Sequence, residues 1–320
     1  MTRRVTVLCG GVGAARFLRA LCSVVPAAEV TAVVNTGDDT DLHGLYISPD
    51  LDTVTYTLAG AIDPERGWGL VGETWDAMDA LGRFSEVVPE GSSAGATWFG
   101  LGDRDLATHL YRTGRLAEGA SLTAVTDEIA RAWGVEVEVL PMSDGRHRTL
   151  VSLTDGGEVA FQDYFVRLGH SVAVSAVRFD SDGSPATGAV MEAITGAEVV
   201  VIAPSNPFVS IAPIRSLAGV DEALAARRES VVAISPIVGG AALKGPAARM
   251  AVELGHASDV ASVAAVYAEV AASLVIDPVD AGQVDAVAAA GMRSVVVPSV
   301  MSDPVVAARL AEATLAAARG

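Results

Sequence analysis

Two acid-rich segments stand out as places where this chain can do chemistry. The segment NTGDDTD (residues 35–41) directly follows an apolar run at residues 30–34, and SPDLDT (residues 48–53) comes shortly after it. Carboxylates clustered at a strand end suit a hard divalent cation such as Mg²⁺. A metal site would pair Asp38 with Asp50 or Asp52, whereas a purely structural loop would use an Asp to cap a helix starting near Thr53. The spacing does not separate these alternatives.

A glycine-rich turn, CGGVG (residues 9–13), lies between the first apolar run and a helical pattern. Gly10, Gly11 and Gly13 allow the backbone to approach a phosphate, whose charge is favoured at a helix N-terminus. Arg16, one turn into that helix, adds a guanidinium. The turn is not the dinucleotide fingerprint, because Arg16 occupies the third glycine position, and it lacks the Lys-Ser/Thr of a P-loop. A tight turn without a ligand remains the alternative.

Two further segments combine polar side chains with an element end. In LGDRDLATH (residues 101–109), Arg104 can meet a phosphate and His109 can donate to a ligand oxygen, although a capped helix with an internal ion pair explains the pattern equally well. In APSNP (residues 203–207), Ser205 and Asn206 offer donors and acceptors after the most apolar run, although a simple strand-to-helix turn does the same.

These segments are positioned by alternating strand-like and helical patterns. Such alternation, with continuous β-branched runs, predicts a parallel sheet wrapped by helices, which is a Rossmann-like α/β fold in a single domain over residues 1–320. The strands are predicted at residues 5–9, 30–34, 135–139, 199–203, 231–234, 273–276 and 294–297.

Two regions depart from that alternation. Residues 52–133 have helical spacing and no convincing strand, which predicts a helical insertion. Residues 149–179 read as β-structure, with a hairpin around Asp155-Gly156-Gly157.

Composition limits the class of partner. The 320 residues are 51% hydrophobic with a formal net charge of −17, so the basic footprint of a nucleic-acid-binding protein is absent. Polar residues interrupt every apolar run before it reaches the length of a membrane span, and the N-terminus enters a strand at once. We therefore expect a cytoplasmic homodimer with no nucleic-acid or membrane partner. Two cysteines are too few for a disulfide framework.

Together the motifs resemble the 2-phospho-L-lactate transferase family of coenzyme F-420 biosynthesis. The resemblance runs in order from residue 5 to about residue 304 and is carried by the segments CGGVGAARFL, VVNTGDDTDLHGLYISPDLDTVTYTLAG, GLGDRDLATHL, LPMSD, FQDYFVR, APSNPFVSIAPI, SPIVGG and VPSVMSDP. The segments Gly67-Trp68-Gly69 and Glu73-Thr74-Trp75 look more like the actinobacterial branch, which is expected to use a phosphoenolpyruvate-derived donor.

The resemblance implies a concrete reaction. The donor is a guanosine diphosphate ester of enolpyruvate or lactate, the acceptor is the 5-deazariboflavin Fo, and GMP leaves with Mg²⁺ as the cofactor. The fold implied is a Rossmann-like sheet whose helical insertion, residues 52–133, covers the acceptor. Asp38 and Asp52 match the metal ligands, with Asp39 and Asp50 as alternates. Asp52 and Gly100 match positions associated with the deazaflavin, and Gly100 can act only through its backbone.

The resulting hypothesis assigns two sets of residues. The catalytic groups are Asp38, Asp52, Arg104 and His109. The substrates are bound by Gly10, Gly11, Gly13, Arg16, Asn35, Asp50, Asp52, Gly100, Ser205 and Asn206. The alternatives are another nucleotide-dependent enzyme on the same sheet, such as an NAD-linked oxidoreductase or a sugar-nucleotide transferase, and a non-catalytic guanine-nucleotide or flavin-binding protein.

Overall fold

The apolar runs of the sequence form strands, and the segments between most of them form helices. A computed structural model describes residues 4–90, 92, 94–242 and 245–318. Its strands in chain order are β1 (Val5–Cys9), β2 (Val30–Val34), β3 (Thr40–Leu42), β4 (Leu45–Ile47), β5 (Glu138–Pro141), β6 (His147–Leu153), β7 (Glu158–Ala160), β8 (Val174–Ser181), β9 (Val199–Ile202), β10 (Val231–Ile234), β11 (Ile237–Val238), β12 (Ala241–Ala242), β13 (Ser273–Ile276) and β14 (Arg293–Val296).

The helices follow the polar turns that end the strands. They are α1 (Gly11–Leu21), α2 (Pro49–Leu58), α3 (Asp76–Leu81), α4 (Asp105–Ala117), α5 (Leu122–Ala132), α6 (Gly188–Gly196), α7 (Ala212–Arg215), α8 (Val220–Ala225), α9 (Ala247–Glu253), α10 (Val260–Tyr267), α11 (Val284–Ala289) and α12 (Pro304–Ala317). None of the helices in the described ranges is both long enough and apolar enough to cross a membrane.

Seven strands make one parallel sheet in the order β14-β13-β10-β9-β1-β2-β5. Val5 of β1 pairs with Val30 of β2 on one side and with Val199 of β9 on the other. The chain therefore builds the sheet outward from β1 in both directions, and the strand order reverses between β1 and β9. Ligands of open α/β sheets bind outside the carboxyl ends of the strands at such a reversal. The predicted Rossmann-like parallel sheet is confirmed.

Alternate residues of each buried strand point to opposite faces of this sheet, and each face carries its own apolar core. On one face, side chains such as Val7 and Val201 pack with helices α1, α2, α5 and α12. On the other, side chains such as Leu8 and Ile202 pack with helices α6, α8, α10 and α11. Burial on both faces explains why these strands read as continuous apolar runs rather than alternating ones.

The segment between β2 and β5 carries helices α2 to α5, as its helical spacing predicts. Among the described residues of 52–133, the prediction of no strand holds apart from one isolated bridge, Ile62 with Leu70. Just before it, β3 and β4 form a short hairpin that sequence reasoning missed. Its turn takes positive φ at His43 and Gly44, the pattern of a type I′ turn. Helix α2 starts at Pro49 rather than near Thr53, so Asp50 and Asp52 lie in its first turn instead of capping it.

The β-region after β5 is a three-stranded antiparallel sheet in the order β7-β6-β8. The predicted hairpin around residues 155–157 joins β6 to β7. However, the second strand ends at Ala160, and residues Asp163–Arg167 form a π-helical turn where the sequence predicted strand. That turn packs Tyr164 into a small separate core with Val151 and Met250.

Candidate active site

A cavity of about 800 Å³ opens at the carboxyl edge of the parallel sheet. Its floor comes from the segments after β1, β9, β10 and β14. One wall comes from α2, the loop at residues 66–69, residues 99–100 and α4, and the opposite wall from the π-helical turn after β7. The position matches the reversal of strand order between β1 and β9, where a ligand site is expected.

The glycine turn forms the part of the cavity at the N-terminus of α1. Gly10 precedes the helix with extended backbone and has no side chain to cap it, and Asp50 Oδ1 instead accepts from the N–H of Gly11, the first residue of α1. Gly11 has φ of +75°, and a Cβ there would point into open space. A Cβ on Gly10 would come within 2.5 Å of Asp50 Oδ2, and one on Gly13 within 2.7 Å of the Pro204 carbonyl oxygen. Glycine is therefore required for two reasons: the positive φ at Gly11, and the close packing at Gly10 and Gly13.

Ser205 and Asn206 follow β9 on the other side of the strand reversal. The Ser205 hydroxyl donates to the Gly10 carbonyl at 2.8 Å, which joins this segment to the glycine turn. Asn206 Oδ1 accepts from the Phe208 N–H at 2.9 Å and so caps the π-helical turn Pro207–Ile211. The Asn206 amide nitrogen has only a weak contact of 3.8 Å with Met250 sulfur, so it can turn to a ligand at small cost.

Asp38, Asp39 and Asp50 form a buried acidic cluster beside that turn. Asp50 accepts from the Gly11 N–H at 2.8 Å and from Asn35 Nδ2 at 3.0 Å. Burial raises the pKa of Asp50 to about 6 even though both hydrogen bonds lower it. Burial, followed by repulsion from Asp50 and Asp39, raises the pKa of Asp38 well above its usual range.

This cluster has oxygens to spare for a cation. Within the described ranges, Asp38 Oδ1 and Asp39 Oδ1 are buried and accept no hydrogen bond. A buried carboxylate oxygen without a partner is costly. A divalent cation would bind the unused oxygens and would also offset the mutual repulsion of the acids. Mg²⁺ prefers such oxygen ligands. The chemistry of these side chains therefore suits a hard cation, although their ligand atoms do not all lie within 4.8 Å of one another.

Asp52 belongs to a second cluster, with Asp105, His109 and Arg112. The Arg112 guanidinium grips Asp52 through two hydrogen bonds, one of them Nη1 to Oδ2 at 3.2 Å. His109 lies with Nδ1 3.7 Å from Asp52 Oδ2 and Nε2 3.4 Å from Asp105 Oδ2. Asp52, Asp105 and His109 offer ligand atoms within 4.8 Å of one another, which makes them a possible metal site. Asp38 is not part of that group.

The two clusters differ in how well they suit Mg²⁺. The second contains an imidazole and already faces a guanidinium, whereas the first offers only oxygens. Asp105 also accepts from the Tyr56 hydroxyl at 2.6 Å. Burial alone would raise the pKa of Asp105, but hydrogen bonds from His109 and Tyr56 and the charge of Arg112 bring it below its usual range. The predicted metal pair of Asp38 and Asp52 thus joins one ligand from each cluster and stays a prediction.

Aromatic side chains form the wall near Gly100. Trp68 and Trp75 meet edge to face with ring centroids 6.1 Å apart, and the Arg66 guanidinium lies 5.4 Å from each centroid. A Cβ on Gly100 would come within 3.3 Å of both indoles. Trp68 is 42% exposed although it lines the cavity. On the opposite wall Phe161 stacks on Phe165 at 5.6 Å. Two apolar walls of this kind suit a flat aromatic ligand.

The structure brings most of the predicted site residues into this one cavity. They are Gly10, Gly11, Gly13, Arg16, Asp38, Asp50, Asp52, Gly100, His109, Ser205 and Asn206. Asn35 does not line the cavity but orients Asp50 from behind. Arg104 lies outside it, exposed at the start of α4, with its guanidinium donating to the Val71 carbonyl at 2.6 Å.

Sequence reasoning missed Arg112, Tyr56 and the aromatic walls. A signal for Arg112 was available, because Asp105, His109 and Arg112 are spaced i, i+4 and i+7 and so share one face of a helix. Trp68 and Phe165 carried no such signal, since single aromatics in irregular segments show no spacing that predicts a cavity wall.

Comparison with known proteins adds an independent finding. The model of the family described as 2-phospho-L-lactate transferase CofD matches residues 5–303. A protein of Streptomyces griseus named phosphoenolpyruvate transferase is 43% identical over 318 residues, which cover 98% of this chain and 97% of that protein. A protein of Mycolicibacterium smegmatis with the same name is 38% identical over 327 residues, covering 98% of both chains.

Among solved structures, a protein of the UPF0052 family from Bacillus halodurans has the same fold. Its TM-score is 0.62 at 17% sequence identity, with 98% of this chain and 99% of that chain covered. At this identity the likeness concerns the fold alone.

Proposed function

The chain belongs to the 2-phospho-L-lactate transferase family, and from that premise we propose that it transfers a phosphoenolpyruvyl group from a guanosine diphosphate ester to the deazaflavin Fo, with release of GMP. The 2-phospho-L-lactyl ester is the alternative donor. The observation that carries the proposal is one cavity that combines a glycine-rich helix N-terminus, a buried acidic cluster and two aromatic walls. The names of relatives at about 43% identity favour the enolpyruvyl donor.

The glycine turn suits the donor diphosphate. The first N–H groups of a helix have no partner inside the helix and carry partial positive charge. Asp50 accepts from the Gly11 N–H, so we assign the phosphate to the next groups of the turn, at Val12 and Gly13. Here Gly11 leaves the space in front of them open, and Arg16 lines the same part of the cavity. The guanosine would then extend along the strand ends toward Ser235 and Ser299.

The aromatic walls suit the acceptor. A deazaflavin ring is flat and apolar on its faces, so it can lie against Trp68 on one side or Phe165 on the other. Its ribityl chain is polar and would reach toward Asp105 and His109, which also line the cavity. In this proposal a ribityl hydroxyl would lie close to the donor phosphate.

The transfer requires that the phosphate charge be neutralised and that the two substrates be positioned. The hydroxyl oxygen forms a bond to the phosphorus that carries the organic acid, the bond from that phosphorus to GMP breaks, and a cavity carboxylate accepts the hydroxyl proton. Asp38 and Asp52, with Asp39 and Asp50 as alternates, would hold Mg²⁺. When bound, such an ion neutralises phosphate charge in the reaction. The protein's own part is to orient both substrates and to keep these acids buried.

A product mass tests this proposal. The protein is incubated with Fo and either the enolpyruvyl or the lactyl guanosine diphosphate ester, with and without Mg²⁺. We expect a product with the mass of Fo plus the phosphorylated acid less one water, together with an equal amount of GMP, only when Mg²⁺ is present. Binding of Fo without turnover of either donor would instead support the non-catalytic binding protein.

A further inference from the structure

Arg112 is a fully buried cation that does not line the cavity. It lies on α4 with 1% of its surface exposed, and Asp52 and Asp39 both exert a charge effect on it. Burial would lower its pKa, but Asp52 raises it above the usual value. A buried arginine is tolerated only when its charge is paired. Its partner, Asp52, does line the cavity.

Arg112 also fixes the imidazole beside Asp52. Its Nη1 lies 3.3 Å from His109 Nδ1. A guanidinium has only donors, so His109 Nδ1 must accept and carries no proton. The imidazole proton is then on Nε2, which faces Asp105 Oδ2 at 3.4 Å. One guanidinium thus sets both the orientation of Asp52 and the tautomer of His109.

We propose that Arg112 is a positioning residue of the transfer reaction: it aims the Asp52 carboxylate at the cavity and holds His109 as the Nε2–H tautomer. This inference rests on the proposed function, because the reaction that it serves is the one proposed above. The role needs the forked geometry of a guanidinium as well as its charge, since two parallel donors and a third contact to the imidazole come from one planar group.

The test compares Arg112→Lys, which keeps the charge and loses the fork, with Arg112→Met. We expect kcat of Arg112→Lys to fall about 10- to 100-fold, the usual cost of losing a group that orients a ligating or reacting residue. The KM for the donor should change much less, because the glycine turn is untouched. Arg112→Met leaves Asp52 unpaired and can fail to fold, so the lysine variant decides the kinetic result.

A second readout does not depend on turnover. The ring nitrogens of the five histidines are observed by proton–nitrogen NMR, and His109→Gln identifies the signal of His109. We expect an unprotonated Nδ1 and a protonated Nε2 in the wild type, and a mixture of tautomers in Arg112→Lys. If the wild type does not transfer to Fo, the proposed function fails while this spectrum still decides the arrangement of Arg112 and His109.

Arg215→Met is the matched control. Arg215 also holds a carboxylate, that of Asp221, through bonds of 2.8 and 2.9 Å, but it lies outside the cavity lining. It should lose stability and keep its kcat. Normal kcat in Arg112→Lys at a temperature where it is folded would overturn the proposal. So would a wild-type spectrum with the proton on Nδ1.

Discussion

Asp38 and Asp52 are both buried in the same cavity, but only Asp52 has a cationic partner. Asp52→Asn leaves Arg112 without its counter-charge, and breaking a buried pair from one side costs about 3–5 kcal/mol. Asp38→Asn removes an acid that is repelled by its neighbours, so it should leave the thermal midpoint unchanged or raised. We expect both variants to lose Mg²⁺-dependent turnover and only Asp52→Asn to lose stability, as measured by thermal unfolding and product formation.

The matched control for this pair is Asp41→Asn. Asp41 follows Asp38 in the same segment but is 48% exposed and paired with Arg146 at the surface. It should keep both its stability and its turnover. Wild-type turnover rates in both Asp38→Asn and Asp52→Asn would show that these acids do not take part in the reaction.

The raised pKa of Asp50 predicts how stability depends on pH. Its pKa is about 6 when folded against 3.8 ordinarily, so between these values the folded protein keeps a proton that the unfolded chain has released. The free energy of unfolding of the metal-free protein therefore falls as the pH rises through this window, by about 3 kcal/mol from Asp50 alone, and stays lower above it.

Mg²⁺ should offset that loss, because it binds the ionised acids. We expect the ion to raise the thermal midpoint more near pH 8 than near pH 5, and to do so much less in Asp38→Asn. A Mg²⁺ effect of equal size at both pH values would show that the ion does not bind these acids.

At the scale of the elements, the glycine turn before α1 allows the effect of backbone strain on stability to be distinguished from the effect of ligand contact on KM. Gly11→Ala places a residue at φ of +75°, which costs about 1–2 kcal/mol, and also puts a methyl group into the cavity. Gly134→Ala is the control, because Gly134 has φ of +69° and open space around it but lies outside the cavity lining. Both variants should lose similar stability, while only Gly11→Ala raises the donor KM. Equal donor KM values in the two would place the phosphates elsewhere.

The start of α4 carries two residues that the sequence assigned to one role and that the structure separates. His109 lines the cavity, whereas Arg104 ties the helix start to the loop containing Trp68, through the Val71 carbonyl. We expect His109→Ala to lower kcat strongly. Arg104→Ala should act weakly and through the KM for Fo, because it only loosens the loop. If Arg104→Ala lost as much kcat as His109→Ala, Arg104 would have a direct role in the reaction.

The seven strands of the parallel sheet could be predicted to within a few residues, since a strand buried on both faces must be apolar throughout, as Val199–Ile202 is. The hairpin of β3 and β4 was hidden because its strands are only three residues long and run from the end of the first acid-rich segment to the start of the second. Residues Asp163–Arg167 read as strand because alternating apolar residues also occur in a wide helical turn.

The site was predictable where polar residues follow strands, as with Asp38 and Ser205, because topology brings those ends together. It was not predictable where partners come from distant elements. The sequence around Asp52 gives no sign that its partner is the guanidinium of Arg112, 60 residues away. The same holds for Gly100, whose neighbours Trp68 and Trp75 are fixed only by packing.

At the scale of the whole molecule, the cavity is lined by separate parts of the chain, and we expect each part to be protected by a different ligand. GDP should slow amide hydrogen exchange in residues 10–13 and 204–206, and Fo should do so in residues 66–69 and 161–166. Mass-resolved exchange with each ligand alone measures both patterns. Protection of one common set of residues by the two ligands would contradict separate donor and acceptor regions.

The central place of β1 also has a consequence for how the chain is made. β1 can pair with β2 once residues 5–34 have left the ribosome, but its other edge waits for β9, since Val5 pairs with Val199. At about 5–20 residues per second the wait after β2 is on the order of 10–30 s. During it, an apolar strand edge stays open to wrong pairing. The strand reversal that creates the binding crevice therefore makes the nascent chain dependent on protection until β9 has been synthesised.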